Sequence, residues 1–445
     1  MAHGEEGKVK NVLFLVSDDL KASVLGCYGD ALCETPNIDR LAAEGMVFER
    51  AYCQGTWCLP SRRSFMRSRY EGKKGATLGE NFIAHGFTSA RVGKIFHMRV
   101  PGDIIDGTHG EDVKACWTER YNAPGKEAHT PGDYACLNLN IFTDELEGRQ
   151  STRMPHRMFV TVETDGNGSD QPDWRAAEKS VELLGNYAQQ EKPFFLATGF
   201  VRPHYPNVAP RQFFEKYPHR KIEMPPVPEG DLDDIPKQGI SGSNSKSHGI
   251  DQFPENQQRM WTGYYATVTF MDEQLGKVLD ELETRGLRDS TAIVFTSDHG
   301  YHLGEHTFWQ KSDLHEEVTR VPLIISVPGM KPGRSDSIVE LIDLYPTLCD
   351  LTGVAIPESA QGSSLVPILE NPEVEVKEAA LSIAKKGHSL RSSDWAYMRY
   401  QDGSEELYDM AKDPGQFTNL VKEEDVSEVI EGFRIRLDQR LELVK

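Results

Sequence analysis

Hydrophobic runs that lack a polar face alternate with amphipathic stretches along this chain. Five of the runs are rich in β-branched and aromatic residues, as is typical of buried strands, and they cover residues 12–19, 89–97, 193–204, 291–300 and 322–329. Stretches with helical periodicity lie between them, at residues 36–48, 173–190 and 264–286. This alternation predicts an α/β fold with a large, mostly parallel sheet covered by helices on both faces.

The pattern changes near residue 371, after which the segments are shorter and more polar and end in an amphipathic stretch. We therefore predict two units, an α/β domain over residues 8–370 and a smaller C-terminal α+β subdomain over residues 371–445. Within the first unit, residues 231–253 are rich in Gly, Ser and Asp and predict a long surface loop, either a lid or a flexible connection.

The chain is acidic, with 49 Lys and Arg against 69 Asp and Glu residues and a net charge of −20 over 445 residues. Nucleic acid is therefore not an expected partner, because phosphate binding needs a basic surface. An anionic substrate would need a local cationic pocket. No hydrophobic run approaches the roughly 20 residues of a membrane span, and the N-terminus lacks the apolar core of a signal peptide, so the protein is cytosolic or the chain begins after a removed signal.

Polar side chains fall at or just after the ends of four predicted strands. Any one of them is most simply interpreted as a helix cap or a loop residue. Because the carboxyl ends of parallel strands meet at one sheet edge, where open α/β sheets bind ligands, their coincidence predicts an active site there. The residues are Asp18, Asp19, Lys94, His97, His204, Asp298 and His299.

Cys58 lies in the segment CLPSRRSF, where its neighbours are polar and cationic. A buried structural cysteine normally has apolar neighbours, so this setting indicates that the reactivity of Cys58 matters more than its packing. The chain has seven cysteines, and an odd number in an exported protein leaves one unpaired. Seven reduced thiols in a cytosolic protein fit the spacing equally well.

The CLPSR segment, residues 58–62, matches the Cys-x-Pro-Ser-Arg motif of the formylglycine-dependent sulfatases. Other segments resemble the iduronate-2-sulfatase type of that family in the same order along the chain. They are residues 17–30, 35–54, 92–97, 194–206, 295–306 and 321–329, and residues 406–420 resemble a C-terminal signature common in sulfatases. The resemblance covers nearly the whole chain and implies an alkaline-phosphatase-like fold.

The resemblance also implies the chemistry of the site. A formylglycine-generating or sulfatase-maturing enzyme would oxidise Cys58 to formylglycine, whose hydrate is the nucleophile. A divalent metal would be Ca²⁺, given the hard carboxylate ligands, with Mn²⁺ or Mg²⁺ left open because one ligand is an imidazole. The implied metal ligands are Asp18, Asp19, position 58, Asp298 and His299. The implied further catalytic residues are Arg62, Lys94, His97, His204 and Lys311.

The substrate implied by the resemblance is a sulfated saccharide, which we expect to be a uronic-acid glycan carrying a 2-O-sulfate at a non-reducing end. Candidate sugar contacts are Arg202, His302 and Trp309, each of which has packing against the protein as the competing interpretation. A bridged loop in the iduronate-2-sulfatase type implies a disulfide between Cys116 and Cys136. The bridge would place the protein in the periplasm, outside the cell or in a lysosome-like compartment, with the cytoplasm left open.

One departure and two alternatives accompany this interpretation. The family usually continues toward Thr-Gly-Arg after the motif, whereas this chain has Arg67, Ser68 and Arg69, which puts the efficiency of maturation in question. The same fold and metal site serve phosphonate monoester and phosphodiester hydrolases. A non-catalytic glycan-binding relative with an unmodified Cys58 is the other alternative.

Overall fold

A computed structural model describes residues 9–149 and 156–444 of the protein. Within these residues the largest sheet has nine strands in the order β13-β2-β14-β10-β1-β8-β3-β4, with β15 paired to β2. Its strands are β1 (Asn11–Asp18), β2 (Met46–Tyr52), β3 (Thr88–Gly93), β4 (Glu119–Tyr121), β8 (Phe194–Pro203), β10 (Thr291–Ser297), β13 (Arg320–Val321), β14 (Leu323–Ser326) and β15 (Gly333–Glu340). The run from β10 to β4 is parallel throughout, which confirms the predicted mostly parallel sheet.

Helices cover both faces of this sheet, as predicted. Within β1, Leu13 and Leu15 belong to a core shared with α1, α5 and α8, whereas Val12 and Phe14 belong to a second core shared with α2, α3, α10 and α11. Successive strand residues point to opposite faces, so a run with no polar position is what two covered faces require. The helices are α1 (Pro36–Glu44), α2 (Cys58–Phe65), α3 (Leu78–Ala84), α4 (Gly102–Asp106), α5 (Pro172–Tyr187), α6 (Arg211–Phe214), α7 (Ser245–His248), α8 (Pro254–Thr284), α9 (Glu316–Thr319), α10 (Leu344–Thr352), α11 (Val366–Glu370) and α12 (Ser427–Val444).

Two details of the main sheet differ from the sequence-based prediction. The helix expected over residues 36–48 ends at Glu44, and β2 starts at Met46 because Gly45 is extended. A side chain at Gly45 would approach the Ile325 carbonyl oxygen to 2.9 Å, so this position lets the chain pass close to β14. The strand predicted at 322–329 is present as β14, but it pairs antiparallel with β10.

Two four-stranded sheets and one two-stranded hairpin complete the sheets of the described residues. One has the order β6-β5-β7-β9 and was not predicted; its strands are β5 (Gly132–Cys136), β6 (Ile141–Thr143), β7 (Val160–Thr164) and β9 (Asn207–Pro210). The other is an antiparallel meander in the C-terminal region, covered on one face by α12, with strands β16 (Ala379–Ala384), β17 (Gly387–Ser392), β18 (Trp395–Tyr400) and β19 (Glu405–Asp409). A smaller C-terminal subdomain is therefore present, and its boundary at residue 371 stays a prediction.

The segment at residues 231–253 is folded against a short hairpin. This two-stranded hairpin is formed by β11 (His302–Leu303) and β12 (Trp309–Gln310). The Trp309 backbone N–H donates to the Ser243 carbonyl at 2.7 Å, and Asn244 forms an isolated β-bridge with Phe308. The segment also contains α7, so it is a packed loop rather than a loose connection.

The predicted Cys116–Cys136 disulfide is wrong, because all seven cysteines have free thiols. Cys116 packs in the core beneath α3, whereas Cys136 lies on β5 in a separate apolar cluster. The Cys136 thiol is 3.6 Å from Asn138 Oδ1. The two cysteines thus belong to different layers. The location of the protein outside the cytoplasm stays a prediction, and no disulfide between these cysteines supports it. Among residues 9–149 and 156–444, no helix combines the length and hydrophobicity needed to span a bilayer.

Candidate active site

The ends of four adjacent parallel strands bring the predicted residues to one sheet edge. Ser17 on β1 pairs with Ser297 on β10, so Asp18 and Asp298 follow side by side. On the other side of β1, Asp18 pairs with Pro203 of β8, one residue before His204. β3 ends at Gly93 beside Gly199 of β8, which places Lys94 at the same edge. The sequence-based prediction of a site at this edge therefore agrees with the registers.

Arg62 is fully buried and connects two carboxylates at the strand ends. Its Nε donates to Asp298 Oδ2 at 2.7 Å, and its Nη2 donates to Asp18 Oδ1 at 2.9 Å. Its Nη1 donates to the Lys94 carbonyl at 2.6 Å. A side chain at Gly199 would lie 2.0 Å from that carbonyl oxygen, so glycine is required for β8 to pass this close. Arg62 therefore orients the carboxylates and cannot itself reach a substrate.

The Cys58 thiol lies at the first residue of α2 and faces cationic, imidazole and carboxylate groups. Its Sγ is 3.3 Å from Lys311 Nζ, 3.5 Å from His299 Nε2, 3.8 Å from Asp19 Oδ1 and 4.0 Å from Lys94 Nζ. Lys311 Nζ also pairs directly with Asp19 Oδ1. These contacts bring together residues from widely separated parts of the chain around one atom.

The two histidines at the site each direct one ring nitrogen, Nε2, toward its centre. His299 Nδ1 lies 2.9 Å from the Gly300 carbonyl, and His204 Nδ1 lies 2.6 Å from the Tyr205 carbonyl. A carbonyl only accepts, so Nδ1 is the protonated nitrogen in each ring and Nε2 carries the lone pair. His204 Nε2 is 3.7 Å from Asp19 Oδ2.

Burial and the local cations set the charges of the site. Burial alone would raise the pKa of Asp18, but Lys94 and Arg62 hold that pKa well below its usual value. Burial raises the pKa of Asp19 despite Lys311. Burial and the nearby Lys94 lower the pKa of His97 to about 3. His97 is thus neutral at pH 7, and the positive charge at the site comes from lysine and arginine.

The sequence profile of the sulfatase family matches residues 10–354. The chain belongs to the sulfatase family. A second profile, described as N-sulphoglucosamine sulphohydrolase, C-terminal, matches residues 304–442 of this sulfatase.

Individual relatives agree with the family. A sulfatase of Formosa agariphila is 32% identical over 441 residues, covering 92% of this chain and 82% of that protein. Human iduronate 2-sulfatase is 30% identical over 459 residues, covering 89% of this chain and 76% of the human protein. A phosphonate monoester hydrolase of Agrobacterium radiobacter has the same fold, with a TM-score of 0.78 at 22% identity over 98% of this chain and 96% of its own. The protein is therefore an enzyme that hydrolyses sulfate esters.

The donor groups of the sulfatase fit the divalent metal that the family implies. Ligand atoms of Asp18, Asp19, Cys58 and His204 lie within 4.8 Å of one another, as do those of Cys58, Asp298 and His299. Asp19 Oδ2 is buried and has no hydrogen-bond partner within the described residues. Carboxylate oxygens are hard donors suited to Ca²⁺ or Mg²⁺, and His299 Nε2 as a nitrogen donor also admits Mn²⁺.

The three predicted sugar contacts are wrong, because all of them are buried against protein groups. Arg202 is 0% exposed; its Nη2 donates to Glu127 Oε2 at 3.1 Å, and its backbone N–H donates to Asp173. His302 is 0% exposed with its Nε2 3.0 Å from Asp313 Oδ1. Trp309 is 1% exposed and donates from Nε1 to Ser245 Oγ at 2.7 Å.

Sequence reasoning missed two residues beside the site, Trp57 and Arg157. Trp57 directly precedes Cys58, is 40% exposed, and packs edge-on against His97 with ring centroids 6.0 Å apart. The Arg157 guanidinium lies over the Tyr205 ring, 5.2 Å from its centroid, and its buried Nε has no hydrogen-bond partner among residues 9–149 and 156–444. An exposed tryptophan before the motif was a usable signal in the sequence, whereas the position of Arg157 depends on the docking of residues 156–159 against Tyr205.

Proposed function

We propose that this sulfatase acts through a formylglycine made from Cys58 and removes sulfate from an acidic glycan. The proposal that Cys58 is converted to formylglycine depends on the pKa of its thiol. Cysteines that act directly as nucleophiles have lowered pKa values, but burial raises the pKa of Cys58 above its ordinary value despite Lys311 and Lys94. The unmodified thiol is thus a poor nucleophile at the centre of an otherwise complete site.

The aldehyde hydrate at position 58 supplies two hydroxyl groups, one to attack sulfur and one whose proton is removed as the carbonyl re-forms and sulfate leaves. Cys58 is 2% exposed, so we propose that the maturing enzyme acts before the chain buries this residue. Asp18, Asp19, Asp298 and His299 would hold the divalent metal, which lowers the pKa of the attacking hydroxyl and neutralises sulfate oxygens.

The chain's own cations and histidines have separate roles in the proposed reaction. Lys94 and Lys311, both within 4.0 Å of Cys58 Sγ, bind the sulfate oxygens and balance the charge that develops on them. His204 directs Nε2 toward the site, where its lone pair takes the proton of the attacking hydroxyl and passes it to the leaving oxygen. Neutral His97 lines the entrance beside Trp57 and accepts a hydrogen bond from the nucleophile.

Substitution of Cys58 tests the nucleophile. We expect Cys58→Ala to abolish turnover of an aryl sulfate while the circular dichroism spectrum is retained, and Cys58→Ser to release at most one equivalent of product. A hydrazide reagent should label the wild-type protein in the peptide that contains residue 58, and it should not label the alanine variant. Turnover near the wild-type rate in Cys58→Ala, or active wild-type protein that never reacts with hydrazide, would contradict the mechanism.

A paired assay separates sulfate from phosphorus chemistry, because the fold is shared with a phosphonate monoester hydrolase. We expect kcat/KM for an aryl sulfate to exceed that for the matching aryl phosphonate and phosphodiester. If kcat/KM is higher for either phosphorus ester than for the aryl sulfate, sulfate hydrolysis is the secondary activity.

For the glycan, we propose a uronic acid carrying a 2-O-sulfate at a non-reducing end. The human relative is an iduronate 2-sulfatase and the C-terminal profile is that of an N-sulphoglucosamine sulphohydrolase, and both names support an acidic sulfated sugar. Trp57 offers an exposed ring beside the nucleophile, as sugar-binding sites commonly do. Arg157 lies over Tyr205, and its buried Nε has no hydrogen-bond partner in the described part of the chain. Tyr205 in turn lies against His204 with ring centroids 4.3 Å apart. We assign the uronate carboxylate to Arg157.

Arg157→Gln tests this assignment. We expect it to raise KM for a 2-O-sulfated uronosyl disaccharide at least about tenfold, because the variant loses one charged hydrogen bond to the substrate. KM for a neutral aryl sulfate should change less than about twofold. Arg175→Gln, at an exposed arginine of α5, is the matched control and should change neither value. If KM rises equally for both substrates, Arg157 supports the structure of the site and does not bind the sugar.

A further inference from the structure

A second group of buried histidines lies outside the sulfate-binding site. His302 on β11, Asp313, and His315 before α9 have ligand atoms within 4.8 Å of one another. His302 Nε2 is 3.0 Å and His315 Nδ1 is 3.5 Å from the same Asp313 oxygen, Oδ1. We call these three residues the histidine cluster. None of them belongs to the two ligand groups around Cys58.

Several polar atoms of this cluster are buried without a hydrogen-bond partner in the described part of the chain. They are His302 Nδ1, Asp313 Oδ2, and both ring nitrogens of His315. His302 and His315 are both 0% exposed. Buried polar atoms are rarely left without a partner, and such atoms concentrated at one point indicate a ligand.

Each imidazole of the cluster also has a carboxylate near its other ring nitrogen. His302 Nδ1 is 3.8 Å from Glu305 Oε2, and His315 Nε2 is 3.4 Å from Glu406 Oε2 on β19. Metal-bound histidines characteristically direct their second nitrogen to a carboxylate, which fixes the tautomer and the ring orientation. The surroundings of the cluster therefore match those of a metal site.

Among residues 9–149 and 156–444, histidines are the only basic residues paired with the carboxylates of the cluster. Asp313 and Glu406 are buried, and across residues 9–149 and 156–444 neither carboxylate forms an ion pair with lysine or arginine. Glu406 is held by the hydroxyl groups of Tyr400 and Tyr408 at 2.6 Å and 2.5 Å. Buried carboxylates need a compensating cation, and the cluster supplies nitrogen and oxygen donors for one.

The loop that contains the cluster has a strained backbone. Within residues 306–312, four residues other than glycine have left-handed φ values: His306 at 54°, Thr307 at 61°, Gln310 at 73° and Ser312 at 88°. Such conformations persist only where the surroundings hold them. Lys311, which contacts Cys58 Sγ, lies inside this strained segment, and Asp313 follows it directly after Ser312.

We propose that the histidine cluster binds a divalent transition-metal ion, with Zn²⁺ as the best match, through His302 Nε2, Asp313 and His315 Nδ1. Two imidazole nitrogens and one carboxylate are a donor set that Zn²⁺ uses, and donors in tetrahedral zinc sites are about 3.3 Å apart. The observed separations of 3.0 Å and 3.5 Å bracket that value. The ion joins β11 to the segment that follows the strained Lys311 loop, so it is structural and takes no part in sulfate chemistry.

Zinc content tests the proposal with the full-length protein. The protein is stripped with a chelator, supplied with saturating Ca²⁺ for the catalytic site, and then given Zn²⁺ alone as the probe. We expect about one zinc per chain in the wild type, none in His302→Gln or His315→Gln, and one in the control His388→Gln, a half-buried histidine on β17. Glu406→Gln should weaken zinc binding about 10- to 100-fold by removing the carboxylate behind His315.

A second measurement does not depend on the variants folding. X-ray absorption of the zinc-loaded wild type should show two imidazoles in the metal shell, whereas zinc at the catalytic site would show more oxygen donors. Wild-type protein that binds no zinc would overturn the proposal and assign the cluster to protonated imidazoles paired with carboxylates. One zinc per chain that remains in folded His302→Gln and His315→Gln, or a shell without two imidazoles, would overturn it as well.

Discussion

Ser68 has a φ of 52°, a region that favours glycine, at the place where the related motif usually carries glycine. The serine side chain offsets this conformation with two tertiary hydrogen bonds. Its Oγ donates to the Ile342 carbonyl at 2.8 Å and accepts from the Gly362 N–H at 3.0 Å. The departure from the motif therefore ties the end of α2 to the segment around α10 without altering the Cys58 region.

Variants of Ser68 separate strain from hydrogen bonding. Ser68→Gly removes the strain but loses both bonds, whereas Ser68→Ala keeps the strain and also loses both bonds. We expect the free energy of unfolding to fall in the order wild type, glycine, alanine, with alanine about 2 kcal/mol below wild type. Urea denaturation measures this order, and an alanine variant as stable as the glycine variant would contradict it.

His97 gives a residue-level prediction about pH. Its folded pKa of about 3 lies below the value of 6.5 for an unperturbed histidine. Below pH 6.5 the unfolded chain takes up a proton that the folded protein does not, so this contribution to stability is complete above that pH and is lost as the pH falls toward 3.

We expect His97→Asn to flatten the acid side of the stability curve, measured by urea denaturation between about pH 4 and 8. The control His85→Asn, at an exposed residue after α3, should retain the wild-type slope. An NMR titration of His97 with a midpoint near the ordinary histidine value would contradict the prediction.

At the scale of elements, α1 begins with Pro36 and lacks a side-chain cap from its own N-cap residue, Thr35. A carboxylate from α8 replaces it: Asp272 accepts the backbone N–H groups of Ile38 at 2.7 Å and Asn37 at 3.1 Å. The sequence predicted helices in both places from their periodicity, but it contained no sign that one helix caps the other. This contact fixes α1 against α8 on one face of the sheet.

Asp272→Ala should therefore lower the free energy of unfolding by about 2 kcal/mol or more, because buried N–H groups lose their acceptor. Asp280→Ala on the same helix removes only the exposed partner of Arg40 and should have little effect. Thermal or urea unfolding compares the two variants, and similar losses in both would show that the tertiary cap contributes little.

At the scale of the whole molecule, buried ion pairs join the C-terminal sheet to the main domain. Glu340 at the end of β15 accepts from Lys377 at 2.7 Å, Arg440 at 3.1 Å and the Leu381 N–H at 2.7 Å. It also accepts from the Tyr70 hydroxyl at 2.9 Å. Because these partners come from both regions, the two should unfold together.

Glu340→Ala removes the carboxylate partner of Arg440 and one of the two carboxylate partners of Lys377. We therefore expect the free energy of unfolding to fall by about 3–5 kcal/mol. Calorimetry should still show one transition at a lower temperature. Asp438→Ala, which removes the exposed partner of Arg399, is the control and should leave the transition nearly unchanged. Two separate transitions in the wild-type protein would contradict the coupling.

The sequence by itself determined the covered parallel sheet and the residues at the strand ends. Both depend on local signals: a hydrophobic run without a polar face requires two covered faces, and a polar residue directly after such a run must lie at the sheet edge. Asp18, Asp298 and Lys94 follow their strands by at most one residue, so their convergence required only the strand order. Cys58 and Arg62 were identifiable because the motif is contiguous.

The tertiary structure alone decided which polar side chains are accessible. Arg202 precedes the predicted His204 by two residues, yet Glu127 and Asp173 from distant segments enclose it. The prediction of a Cys116–Cys136 disulfide was wrong for the same reason, because the length of a loop does not determine in which layer each cysteine packs. Arg157 and the histidine cluster likewise depend on segments far apart in the chain. Their contacts arise from the docking of whole elements, which no local pattern of hydrophobic and polar residues specifies.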